Sequence, residues 1–509
     1  MKKTIIITAL VLILSSINIV SAQNRFEHPI STGMGATGVT FIGEHSANFV
    51  NPANLMLDDY TPQFSLTIGQ IGGGIGGPLA DIRTYNDYLT TGELLDATRQ
   101  KSMLDNWVGS SSNPGELHYA GFNVSFVPVG ASYRMENQAF SFATRIRSYG
   151  KFGVSRGLME AAIGGFNSEL FEEARGVNAK SQVVSLTELS LGYARKVFDT
   201  QTDPLFDRPL RIYVGAAPKL LLGFNANTFR MESDLRVSGD SLLVHNYNFR
   251  IHTAGDLSQQ LDQYISDRNT MDEMPSLADY LETPNDAFSV NSVGLGFDLG
   301  ATAELELSPA FLDYGFFGDG KRFFRFGISI TDIGRVSFTD DAATFQNSGE
   351  LVWRGVAIDQ DRLRDEFDSN LSDYFNYVVQ DSIGTEVYLD LKRDDRDRTT
   401  GSLPAHMNIG FQLQAGKMMA ALDLGAGFNN VGTNSKLMSL GMGFEYRVAN
   451  VWPVRFGFNT GGANAASWTA GSGIITNNYS FNIGVMFVGN SQNNGTWIAA
   501  GVSALTFRF

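Results

Sequence analysis

Alternation with a period of two runs through the C-terminal third of the chain. In LPAHMNIGFQLQ, Leu403, Ala405, Met407, Ile409, Phe411 and Leu413 fall on one face, opposite His406, Asn408, Gly410 and Gln412. The same pattern covers Met438 to Tyr446, where Phe444 opposes Gly443 and Glu445, then Trp452 to Phe458 and Tyr479 to Phe487. Successive side chains of a strand point to opposite sides, so each segment predicts a strand with one apolar and one polar face. The closing segment, TWIAAGVSALTFRF, ends on an aromatic, with Phe509, Phe507 and Leu505 on one face and Ala499 and Trp497 read as its continuation. Upstream, 61–70, 119–135, 138–149, 185–197, 210–224, 291–307, 322–335 and 417–428 alternate similarly, and 348–357 does so more weakly. Together these make about fourteen strands, an even number as bacterial barrels require. Central charges stay on the polar face. An Arg or Lys facing lipid at the midplane costs roughly 2–4 kcal/mol, so Phe444→Arg is expected to cost that much and the lumen-side Gly443→Ser far less.

The remaining features decide between a soluble sheet and a membrane barrel. Lys2 and Lys3, an apolar run from Ile5 to about Val20, and Val20-Ser21-Ala22 predict a signal peptide over 1–22. No Cys occurs, so an exported chain of 509 residues does without disulfides. No later apolar run is long enough for a membrane helix. A membrane protein without spanning helices has to be a closed barrel, because lipid offers its backbone no hydrogen-bond partner. The expected fold is therefore all-β, a transmembrane antiparallel β-barrel of about fourteen strands. Its place is the outer membrane of a Gram-negative bacterium, among lipids, after delivery to a barrel-assembly machinery that reads Leu505, Phe507 and Phe509 as the C-terminal signal. A formal charge of −15 without a basic stripe argues against nucleic acid as a partner.

Fourteen strands of about ten residues leave most of the chain for loops and filling. Segments 81–108, 155–177, 255–283 and 357–379 are read as helical extracellular insertions, either solvated or forming a lid. Lys392 to Arg398 alternates in sign and reads as a solvated turn, and Ile71 to Pro78, IGGGIGGP, as a flexible loop. Gly33 to Gly38 spells a dinucleotide fingerprint but lacks the strand and helix that would aim it at a pyrophosphate. The six His show no metal-ligand spacing. No cofactor, metal or catalytic set is expected, although a Ser-His-Asn hydrolase assembled across strands is the enzymatic alternative.

PISTGMGATGVTFIGEHSANFVNPANLML, carrying Gly33, Gly35, Gly38 and then Asn51-Pro52-Ala53, resembles the opening of the long-chain fatty-acid transporter (FadL-like) barrel superfamily. FRFGISITDIGRVSF and SLPAHMNIGFQL resemble strands of related large barrels, including PorV-type proteins. The resemblance implies that 23–60 is a hatch folded into a barrel spanning 61–509. The residues agree: Pro52 fixes φ and drops a donor, and Asn51 can hold a turn through its side chain. Pro128 and Pro218 stand inside predicted strands of a barrel that has no edge, so each should kink or bulge its strand. In the resembled family an interrupted strand forms a side opening for apolar ligand. The expected function is passive transport of hydrophobic or amphipathic small molecules. The alternative is a non-transporting barrel that anchors or shuttles a protein partner. An apolar pocket beside the hatch would favour the first, and a filled lumen the second.

Overall fold

The computed structural model describes residues 27–509 except 60–61, 111–112, 166–168, 201–207, 240, 271–279, 281–288, 313, 339–341, 354–363, 365–391, 395–397, 462–463 and 489–494. The expected signal peptide lies outside these residues, as does nearly all of the 357–379 insertion.

Among the described residues eighteen strands form one antiparallel sheet. They are β1 (Phe64–Gly77), β2 (Leu117–Arg134), β3 (Gln138–Ser155), β4 (Arg175–Thr200), β5 (Leu210–Ser238), β6 (Ser241–Ala254), β7 (Ser292–Glu306), β8 (Arg322–Phe338) and β9 (Ala342–Trp353). The rest are β10 (Lys392–Asp394), β11 (Thr399–Ser402), β12 (His406–Ala415), β13 (Met418–Gly427), β14 (Met438–Ala449), β15 (Trp452–Gly461), β16 (Asn464–Ile475), β17 (Tyr479–Val488) and β18 (Thr496–Arg508). Fourteen of them close the wall. β1 to β5 pair in order, β5 pairs with β7, β7 with β8, β8 with β12, and β12 to β18 continue in order until β18 returns to β1. The ladder therefore has no edge within the membrane, which is what lipid demands of a sheet. β6, β9 and β10 extend the sheet beyond the wall from the upper half of β5, and β11 pairs with the upper end of β8.

The fourteen wall strands are not quite the fourteen expected. The segment at 348–357 overlaps β9, which stands outside the wall, whereas β16, which carries no clear apolar stripe, is not among the expected segments. The glycine run Ile71–Gly77 is strand, not a flexible loop: β1 continues through it, paired to β2 and β18 on both sides. Glycines suit this place because a Cβ on Gly76 would run into the Trp497 ring, and one on Gly74 would sit 3.0 Å from Ile498 O. Lys392–Asp394 is likewise strand rather than turn. Helices occur in three of the expected insertions, at Ala97–Val108, Arg156–Gly164 and Asp256–Thr270. All rise from the end with long connections. The other end carries short turns such as 416–417 and 450–451, together with the C-terminus, as the periplasmic end of outer-membrane barrels does, and the two ends are labelled accordingly.

Phe509 and Leu505 face outward as expected, and Phe507 is half-buried. Trp497 and Ala499 face the lumen instead, correcting their placement on that stripe. The cause is a fault that crosses three neighbouring strands. Alternation changes phase between Ser503 and Leu505 in β18, between Thr67 and Gln70 in β1, and between Val127 and Gly130 in β2. Gly69, in the middle of it, has φ +74°. The fault is absorbed by register shifts against β17 and β3. Pro128 sits within it, and its missing donor is accommodated by a bulge of this kind. Pro218 behaves differently. It stays in register with β7, but the rungs to β4 opposite Ala217 and Pro218 are absent.

Phe444 is exposed on the outer face and Glu445 is buried inside. Gly443 is not an open lumen position, however, since a Cβ there would lie 2.5 Å from Met34 O and 2.7 Å from Thr37 Oγ1. Phe444→Arg is expected to lower stability by about 2–4 kcal/mol, and Gly443→Ser to be similarly harmful through overpacking, at about 1–3 kcal/mol. Denaturant midpoints of the two variants check both. A native-like Gly443→Ser would mean that the inner segment does not touch this strand.

Candidate functional site

The lumen is filled in layers. Residues 27–57 occupy the periplasmic half and are largely buried. They form a short helix at Pro29–Gly33, a 3-10 turn at Glu44–Ser46, a helical turn at Ala47–Val50 and a 3-10 turn at Pro52–Met56. None of these pairs into the wall ladder. What admits them is a ring of lumen-facing glycines: on twelve of the fourteen wall strands, a Cβ on a glycine would meet the inner segment at under 3.4 Å. Gly33 and Gly471 meet glycine to glycine, each with its Cβ position 2.8–3.0 Å from the other's Cα. Gly501 stands the same way against Pro29, and Gly327 against Val39.

The two strands without such a glycine bind the segment through side chains. On β13, Asp423 Oδ2 accepts the Gly38 and Val39 amides at 2.8 and 3.0 Å. On β3, Ser141 donates to Asn48, and Arg145 and Arg147 each reach Glu27 at 2.9 Å. Gly35, at φ +67°, donates its amide to Thr469 Oγ1 at 2.8 Å. Asn51 caps the Pro52–Met56 turn by accepting the Ala53 amide, and its Nδ2 donates to Val39 O and Thr302 Oγ1 at 2.8 and 2.9 Å. Asn54 adds bonds to Val39 O and Ile42 O, both at 3.0 Å. Pro52 and Ala53 lie against Gly215 of β5, and Asn51 and Pro52 against Gly300 of β7. Thus Gly33, Gly35, Gly38, Asn51, Pro52 and Ala53 converge inside the lumen. Pro128 and Pro218 lie in the wall around the same segment: Gly130 packs on His45, and Gly192, in the interrupted stretch of β4, packs on Asn48. Leu505, Phe507 and Phe509 lie apart from this assembly, on β18 and its end.

Burial depresses the imidazoles of His28 and His45, to about 3 and about 4, so both are neutral at ordinary pH. This agrees with His28 Nδ1 accepting the Ile30 amide at the head of the first helix.

Above the inner segment lies a buried charged layer. Arg145, Arg147 and Lys219 interleave with Glu27, Glu188, Asp298 and Asp332. Lys219 Nζ is 2.6 Å from Asp298, 2.8 Å from Asp332 and 3.2 Å from Glu188, and its side chain is fully buried. Asp332 has φ +57° at a phase change in β8, a bulge that brings both Thr331 and Asp332 inward. Phe49 of the inner segment covers Arg145, with the guanidinium 4.0 Å from the ring centroid. The cavity at this level measures about 50 Å³ and is lined by Glu27, Arg145, Arg147, Asp332 and His406 among others. Ligand pockets run to about 300–1,000 Å³, so this space suits a few waters rather than an organic ligand.

One step further toward the extracellular end, the lumen face turns apolar. The same strands that carry Arg147, Glu188, Lys219 and Asp332 next present Tyr149, Leu186, Leu221 and Val336, then Val184 and Phe338. Sequence reasoning missed both layers. Their signal is the i, i+2 series Arg145-x-Arg147-x-Tyr149 and Val184-x-Leu186-x-Glu188, in which one face changes character within a strand.

Fold and site together define a fourteen-stranded barrel of outer-membrane type with a chain segment packed in its lumen. The model of a family of unknown function, DUF5723, matches residues 78–493, and the chain belongs to that family. Among curated proteins none matches it. Solved structures similar to it include the Ralstonia pickettii toluene transporter TbuX, at 14% identity over 95% of this chain and 98% of that chain, TM-score 0.44. The Pseudomonas putida toluene transporter TodX is similar at 12% identity over 96% and 99%, TM-score 0.39. The translocator domain of the autotransporter NalP from Neisseria meningitidis is similar at 10% over 89% and 91%, TM-score 0.31.

Lys219→Met removes the cation shared by three buried carboxylates and is expected to cost about 3–5 kcal/mol. The heat-modifiability midpoint on gels reads this loss. A variant as stable as the native barrel would mean that the layer is not dry.

Proposed function

We propose that this protein is a passive outer-membrane channel for hydrophobic or amphipathic small molecules, in which residues 27–57 act as a hatch. The observation that carries this reading is the apolar layer of the lumen. A barrel interior is ordinarily polar, whereas Leu186, Leu221 and Phe338 turn inward and pack in an apolar cluster that would suit an apolar guest once its filling side chains move aside. Below that layer the charged cluster and the tightly held inner segment oppose passage along the axis. The route for an apolar molecule is therefore sideways through the wall. Pro128 and Pro218 mark two of the interrupted places in the wall, a bulge and a pair of absent rungs, and either is a candidate exit into the bilayer. Leu505, Phe507 and Phe509 would serve insertion by the barrel-assembly machinery, and binding rather than bond chemistry would carry the mechanism.

A second reading, a non-transporting barrel that anchors or shuttles a protein partner, draws on the about 50 Å³ left between the inner segment and the charged layer, the larger spaces of about 340 and 360 Å³ lying among polar and charged groups at the short-turn end. Uptake separates the two. In Gram-negative cells producing the protein, N-phenyl-1-naphthylamine, a neutral fluorophore that an intact outer membrane excludes, is expected to enter several-fold faster than in cells with an empty vector. Pro218→Val should restore a ladder donor and slow that entry. Entry at the vector rate, with the barrel present in the membrane, would replace the channel with the anchoring reading.

A further inference from the structure

The apolar layer is not empty. Leu403, fully buried, stands in the middle of it, beside Val336, Phe338 and Leu221, and Val431 packs against the same cluster. Neither belongs to the wall. Leu403 lies in the break between β11 and β12, and Val431 in the connection after β13, which dips into the lumen so that Thr433, Asn434 and Ser435 are buried.

The first segment is anchored to the wall by the short ladder of β11 with β8, the Phe428 amide joins it to the second by donating to Ala405 O at 2.8 Å, and side-chain bonds complete the junction. Asn429 Nδ2 donates to Leu403 O at 2.7 Å, and Asn434 Nδ2 to Ala405 O at 3.0 Å and to Asn429 Oδ1 at 2.8 Å. Tyr149 Oη donates to Ser402 O at 2.8 Å, and the Leu403 amide to Gly334 O at 3.0 Å. The wall is cut back where Leu403 enters: a Cβ on Gly296 or on Gly334 would lie 3.2 Å from its Cδ1. Two apolar side chains on extracellular connections thus fill an apolar recess, and each such bond is worth only about 0.5–1.5 kcal/mol net.

We propose that residues 399–405 and 428–435 form a lid whose Leu403 and Val431 occupy the binding site of an apolar guest. The guest is a neutral hydrocarbon-like molecule whose bulk matches those two side chains together, and it binds by displacing them onto the extracellular side. The recess it enters is bounded by Tyr149, Val184, Leu186, Leu221, Val336 and Phe338, with the charged layer as its floor. This rests on the channel reading for its biological purpose, but the site itself can be tested separately. The lid lowers apparent affinity by the fraction of time it stands open, so loosening it tightens binding without any new contact.

The test uses the full-length barrel in lipid nanodiscs and N-phenyl-1-naphthylamine as the probe, with fluorescence corrected for barrel-free nanodiscs. The double variant Leu403→Ala, Asn434→Ala is expected to bind the probe at least tenfold more tightly than the native barrel. Equal affinity within twofold would overturn the proposal. Because the double variant could lose stability, a second arm closes the lid instead. A Cβ on Gly401 lies 2.9 Å from Val184 Cγ1, so Gly401→Cys with Val184→Cys brings two sulfurs within disulfide reach in a chain that has no other Cys. Oxidation should abolish binding and reduction restore it. Binding equal in the oxidised and reduced forms would also overturn the proposal. Lid-dependent binding without cellular uptake would leave this site standing and remove the channel, whereas uptake together with lid-independent binding would do the reverse.

Discussion

The structure depends on one constraint: hydrocarbon gives a backbone amide or carbonyl nothing to bond to. A sheet in that medium has to close on itself, and here β18 does so by pairing with β1 along nearly its whole length. Closure fixes what remains negotiable. The outer face must be apolar, and irregular backbone belongs inside, where protein groups can satisfy it. The inner segment follows this rule, with its amides and carbonyls bound by Asp423, Asn51, Asn54 and Thr469 rather than by a ladder.

Filling a barrel with chain requires room, and glycine provides it. Backbone-to-backbone approach at Gly33 and Gly471, or at Gly501 and Pro29, leaves no space for a methyl group. Contacts of this kind are made by shape, and they lose their value once the segment shifts by an ångström or so. The charged layer above adds a different kind of fixation. Its groups are too costly to leave unpaired, so Glu27 ties one end of the segment to Arg145 and Arg147. An axial path would have to break both. The apolar recess beyond them is filled by Leu403 and Val431 from connections held by the short β11–β8 ladder and by side-chain hydrogen bonds, a lighter fixation than the paired charges below.

The barrel was legible because lipid enforces alternation. Thirteen of the fourteen wall strands could be read in part from it, and Phe444 and Glu445 point as the pattern requires. β16 was not legible, because Trp468 and Ile474 alternate there with Ala470 and Ser472, and small residues blur the stripe. Ile71–Gly77 is ambiguous in sequence for the related reason that glycine speaks equally for a flexible loop and for a close neighbour. Only the fold shows that Gly72 faces Glu27. The phase change in β18 lay beyond reach as well, since Leu505 and Trp497 are both apolar and nothing in their spacing reveals a bulge. Of the candidate site, the Asn51-Pro52-Ala53 turn announced itself through its capping chemistry. The ion cluster did not, because it gathers Arg145, Glu188, Lys219, Asp298 and Asp332 from five strands, and sequence alone carries no register between distant strands.

The central claim is that residues 27–57 are held in the closed lumen as firmly as the wall that surrounds them. Amide hydrogen exchange of the intact barrel tests it most directly, because exchange reports the free energy of opening segment by segment. The account predicts that the Gly38 and Val39 amides, bound to Asp423, are protected as strongly as ladder amides of β13 and β14. Exchange of residues 30–57 at the rate of the extracellular connections would contradict it, and would make the inner segment a mobile plug.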